Sequence, residues 1–139
     1  MKDKTLSELD TPLEFGGPDR PLMPALLRGA RCRCPACGEG RIFTKMLAVA
    51  EECPSCGEEL RHQRADDLPA YLNILLTGHI VVASMAALVT LLELSMWTQT
   101  FTTAIVAVAS AALSMRPLKG AVVAAQWALR MHGFGGDES

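Results

Sequence analysis

The 139-residue chain is 50% hydrophobic and only 20% charged, with a formal net charge of -2 at pH 7. That is too apolar for a typical small water-soluble domain and too neutral for a protein held by the nucleic-acid backbone. Residues 1–72 hold ten Lys or Arg and twelve Asp or Glu, whereas residues 73–115 hold one charged side chain, Glu93. A polar head therefore precedes a membrane tail, and the expected fold class is an α-helical membrane protein.

Residues 1–24 mix acids and prolines, with no basic stretch leading into an apolar core. They read as a disordered tail and not as a signal peptide, which keeps the head in the cytoplasm.

Residues 25–64 carry the strongest chemical signal, "CPACGEGRIFTKMLAVAEECPSCGEEL", with Cys34, Cys37, Cys53 and Cys56. Two CxxC pairs fifteen residues apart, each followed by glycine, have zinc-site spacing. In such a knuckle the two thiolates converge on one ion, and Gly38 or Gly57 permits the left-handed turn that directs backbone N–H groups toward sulfur. The segment between suits a β-hairpin, giving a zinc ribbon. Disulfides compete, but a reducing cytoplasm disfavours them, and a fold of about thirty residues needs a metal or another staple. Iron–sulfur, transient copper and a redox dithiol are the remaining readings of the four thiols. Four cysteines fill a tetrahedral ion, so the ribbon itself should not be catalytic. Cys32, two residues ahead, reads as an unligated bystander, with exchange against Cys34 as the alternative. The basic run Arg28, Arg31, Arg33, Arg41 and Lys45 faces only Glu39, while Glu51, Glu52, Glu58 and Glu59 gather at the second knuckle. On a membrane-anchored head that basic edge suits anionic lipid or a partner protein better than nucleic acid.

Residues 65–116 read as a two-span hairpin. Residues 72–92 are 21 uncharged residues, and a helix needs about 20 to cross a hydrocarbon layer about 30 Å thick. Residues 98–115 give a second span, with Trp97 at its edge. Arg61, Arg64, Arg116, Lys119 and Arg130 flank the spans outside the short connection, which has no Lys or Arg, so both termini should face the cytoplasm. At the entry, "ADDLPAY", Asp66 or Asp67 suits a helix cap and Pro69 its first turn. The second carboxylate leaves a partner-facing or metal-contacting role open. His79 lies about 18 Å along the helix from Asp67, so the three do not form one site within that stretch. An intramembrane histidine is a functional candidate by default, and the quieter alternative is a hydrogen bond to Thr102 or Thr103 of the second span. Gly78, Ala83, Ala87, Ala107, Ala109, Ala111 and Ala112 would let the helices approach closely.

Pro117 should break the second helix and start a short amphipathic one over residues 117–132, lying along the cytoplasmic membrane surface with Arg116, Lys119 and Gln126 toward lipid. Continuation of the span into the cytoplasm is the alternative. Residues 133–139 read as a frayed tail.

Taken together, "CPACGEGRIF", "CPSCGEEL", "ADDLPAY" before an intramembrane polar residue, and "RPLKG" with a Gln before "RMHGF" resemble the small bacterial membrane proteins classed as domain of unknown function 983, over residues 25–132. The resemblance implies a two-span protein with a zinc-ribbon-like head. It also implies an accessory role in building a respiratory complex, because family members tend to be encoded near cytochrome c oxidase subunits and their assembly factors. Two further function classes stay open: a copper, zinc or thiol-redox handler, and a small membrane enzyme using Asp66, Asp67 and His79 on lipid or quinone. The enzyme reading lacks a recognisable nucleophile, base and oxyanion-donor set. Association with a second copy of the chain is also left open.

Overall fold

The first helix is built on small residues. In the computed structural model, which describes residues 20–134, α1 (Leu22–Ala30) carries Ala25 and Gly29 one turn apart as its buried face. Two long helices follow, α2 (Leu68–Leu91) and α3 (Met96–Ala128). Both are long and apolar enough to cross a membrane, and none of their apolar stretch is buried within the protein. Leu75, Val82, Val89, Phe101, Ile105 and Val108 are exposed along them, as lipid-facing side chains should be.

The two spans form an antiparallel hairpin turned by residues 92–95, where Ser95 caps α3 by accepting from the Thr98 N–H. A polar seam joins them. Ser114 Oγ donates to Asn73 Oδ1 at 2.5 Å, and Asn73 Nδ2 donates to the Ala111 carbonyl at 3.2 Å. Further along, Ser84 and Ser110 bond within their own helices, to the carbonyls of Val81 and Ala107, and the buried hydroxyls of Thr77 and Thr103 find no partner among the described residues. Ala107 and Ala111 lie in this seam, whereas Gly78, Ala83, Ala87, Ala109 and Ala112 are exposed and do not form the helix contact expected of them.

Pro117 does not break α3, which runs unbroken for 33 residues. At about 1.5 Å per residue that is about 50 Å, so a dozen residues project beyond the hydrocarbon. Tertiary packing overrides the breaker: Gly120, Val122, Val123, Ala124, Gln126, Trp127 and Ala128 are all buried. The expected surface-lying helix is therefore the core of the head. Ala124 and Ala128 pack on Ala25, while Val122 and Val123 pack on Ile42, Phe43 and Ala65. Gly29 and Gly120 mark the crossing of α1 and α3: a Cβ on either would fall on the other's carbonyl oxygen.

Gln126, expected at the membrane surface, is 6% exposed and staples the chain. Its Nε2 donates to the Arg64 carbonyl at 3.0 Å and its Oε1 accepts from the Arg64 N–H at 2.9 Å, as a neighbouring strand would. Gln126→Leu keeps the volume but strips the part-buried N–H and carbonyl of Arg64 of their partners. A loss of about 1–2 kcal/mol is expected, at the low end of the penalty for two unsatisfied groups because water can reach them. Thermal unfolding in detergent checks it.

Two boundaries shift. Residues 22–24 belong to α1 and not to a tail, and Arg20 also engages the head: its guanidinium donates to the carbonyls of Trp127 and Phe134 and stacks over the Trp127 ring at 4.6 Å. Phe134 is buried against Ala25 and Trp127, so the frayed end cannot begin at residue 133. Residues 1–19 and 135–139 of the expected tails lie outside the described residues.

Both helices of the head stop in the same way. Cys32 (φ 59) and Arg130 (φ 55) take the left-handed position after α1 and α3. Arg33 N–H then reaches the Arg28 carbonyl, and Met131 N–H the Gln126 carbonyl, closing each helix end.

Candidate metal centre

Each CxxC segment folds by the same local chemistry. Gly38 and Gly57 both sit at φ +75, where a side chain would be strained. Gly38 N–H donates to the Cys34 carbonyl at 2.8 Å and Gly57 N–H to the Cys53 carbonyl at 2.9 Å. In place of the expected β-hairpin, single antiparallel bridges hold the ribbon: Arg33 with Arg41, Phe43 with Val49, and Glu52 with Glu59. The first and last close the knuckles. Segments this short, anchored on sulfur, have too few residues for continuous strands.

The four sulfurs meet. Cys34 and Cys56 Sγ are 3.8 Å apart, as are Cys37 and Cys53, and all four lie within 4.8 Å of one another. Sulfurs at about 2.3 Å from a central ion have tetrahedral edges of about 3.8 Å, so the set fits one four-coordinate metal. Cys34 and Cys53 are buried with Leu60, Cys37 is half-buried, and Cys56 is exposed at the rim. Gly40 makes room for the second knuckle, since a Cβ there would fall on Cys53 Sγ. Arg28 braces the first by donating to the carbonyls of Pro35 and Ala36, both at 3.0 Å. Cys32 lies outside the set and packs its thiol against the Ile42 and Phe43 cluster.

The thiols are not equivalent. Burial raises Cys34 and Cys56, whereas the backbone N–H groups of Gly40 and Glu39 draw Cys37 down to about 6. At neutral pH Cys37 is a ready thiolate, while a metal must displace protons from Cys34 and Cys56. Metal affinity should therefore fall on acidification, and fall more steeply once pH drops below about 6, where Cys37 also takes up a proton. Metal release into a chromogenic chelator, followed from pH 8 downward, checks the sign and the position of the steepening.

The other candidates do not converge. Asp66 and Asp67 are exposed on the linker before α2, and the Asp67 carboxylate makes no capping hydrogen bond. Its own backbone is already helical, with φ -98 and ψ -31, which is not the extended geometry that aims a cap side chain at free N–H groups. His79 does not reach Thr102 or Thr103. It lies on the exposed side of α2, and its Nδ1 donates to the Leu75 carbonyl at 2.7 Å. Arg116 stacks on Phe43 at 5.4 Å and Lys119 is half-buried beside the head.

Contacts between residues far apart in sequence complete the head. Trp127 Nε1 donates to Glu58 Oε1 at 2.8 Å, tying the second knuckle to α3, and Arg20 lies 3.6 Å from the same carboxylate. A lone indole followed by helix-ending residues was the only sequence signal for this knot.

Residues 43–127 match the family model described as Protein of unknown function (DUF983). The chain belongs to this family. The match takes in the second knuckle, both spans and α3 as far as Trp127, and begins after the first CxxC, so the pairing of the two knuckles rests on geometry. This DUF983 chain is a membrane-type helical protein with a small head whose four clustered cysteines could hold a metal ion. No curated protein and no solved structure gives a significant match.

Proposed function

We propose that this DUF983 protein is a non-enzymatic, zinc-loaded accessory factor of the bacterial inner membrane that assists the assembly or organisation of a membrane complex, with cytochrome c oxidase as the expected client. One observation carries this reading: the four-cysteine head is clamped on a continuation of the second span. A tetrahedral zinc shell of four thiolates leaves no position for water or substrate, so the metal would serve to shape a docking surface. Asp66, Asp67 and His79 are too dispersed to act together on a substrate. The arginines beside the head and the turn at the other end, which carries no Lys or Arg, favour a cytoplasmic head.

Exposure of Cys56 at the rim favours a second reading, in which the metal is cargo handed to a partner. Pull-down of the tagged protein from native membranes in mild detergent tests the first. Recovery of oxidase subunits or their assembly factors is expected, with zinc retained through purification. Recovery of the protein alone, with zinc exchanging freely against a chelator, would favour metal handling.

A further inference from the structure

Four arginines line one cleft at the foot of the head. Arg31 and Arg33 come from the segment closing α1, Arg41 from across its bridge, and Arg116 from α3; Cys32 and the Phe43 ring complete the wall. The cleft measures about 330 Å³. Gathering four guanidinium groups is unfavourable unless an anion answers them. None of the four pairs with a carboxylate of a described residue: the ion pairs of the described head, Arg20 with Glu58 and Arg61 and His62 with Glu59, all fall at the second knuckle. Two of them are instead held by neutral contacts. Arg116 stacks on Phe43 at 5.4 Å, and Arg33 Nη1 donates to the Glu39 carbonyl at 2.8 Å, which leaves other N–H groups available.

Height decides the ligand. Arg116 directly follows Met115, the last residue of the uncharged stretch, so the cleft opens at the level of lipid headgroups. Guanidinium groups match phosphate oxygens as two-point donors, and the Phe43 ring offers an apolar wall to a glycerol backbone. We infer that this cleft binds the phosphate headgroup of an anionic phospholipid and fixes the head against the membrane surface. The assignment does not depend on the metal or on the client.

Native mass spectrometry of the full-length protein in detergent, titrated with phosphatidylglycerol, phosphatidylcholine or inorganic phosphate, tests it. Phosphatidylglycerol should bind at least about tenfold more tightly than phosphatidylcholine, and Arg41→Gln and Arg116→Gln should each weaken it about fivefold, as expected for about 1 kcal/mol per basic side chain at a membrane surface. Lys45→Gln, which removes a nearby charge outside the cleft, should leave it unchanged, and metal content should stay the same in all three variants. Equal binding of the two lipids, or losses no larger than that of Lys45→Gln, would overturn the site. Displacement of phosphatidylglycerol by equimolar inorganic phosphate would assign the cleft to a soluble phosphate and overturn the lipid.

Discussion

Cys34→Ser is expected to empty the metal centre and unfold the head. Cys34 is fully buried, its sulfur lies 3.8 Å from that of Cys56, and the spare thiol Cys32 packs against the Ile42 and Phe43 cluster instead of the set. A structural zinc contributes about 10–16 kcal/mol in small cysteine-ligated units, more than single bridges and a few small apolar clusters can offset. The purified variant should hold far less than one zinc per chain and be cut by protease between residues 31 and 64, while the spans stay intact. Full zinc content with unchanged protection would sink the metal-centre reading. Cys32→Ser serves as the control, because its thiol lies outside the set and should leave zinc in place.

Gly120→Val is the second large effect. The new side chain would fall on the Gly29 carbonyl oxygen, a backbone atom that cannot rotate away, so α1 and α3 must part. Overpacking typically costs about 1–3 kcal/mol, and a backbone-to-backbone clash belongs at the upper end or beyond. A clear fall in unfolding temperature and early cleavage within α1 are expected, with metal content unchanged because none of the four clustered cysteines sits on either helix. Gly78→Ala is the contrast: a Cβ there meets nothing within 4 Å, and stability should not fall. Equal behaviour of the two variants would show that the α1–α3 crossing does not organise the head.

What the sequence revealed follows from how local each signal is. The knuckles were legible because each pair of ligands has two residues between them and a glycine behind, and the spans because a run without charge needs no partner to be recognised. The passage through Pro117 was left open between a break and a continued helix, since the local rule for proline is a break while membrane helices tolerate it, and the structure takes the continuation. The opposing force comes from burial of Val122, Val123 and Ala124 against distant segments. Gln126 misled for the same reason: its polarity pointed to solvent, while its partners are the N–H and carbonyl of Arg64. Asp67 shows the reverse error, a residue of the right type for a cap whose backbone angles deny it that role. His79, placed at a depth where function is the usual explanation, gives its Nδ1 to the Leu75 carbonyl of its own helix and makes no bond to the second span.

The staple between Gln126 and Arg64 also limits where a partner can enter. It ties the chain just before α2 to the end of α3, and the four residues 92–95 tie the opposite ends. With both ends tied, spreading the spans like tongs to admit a third helix would mean breaking the two Gln126–Arg64 bonds first. A transmembrane client that leaves them intact would have to lean against the outer flanks, leaving the polar seam between α2 and α3 sealed throughout the encounter.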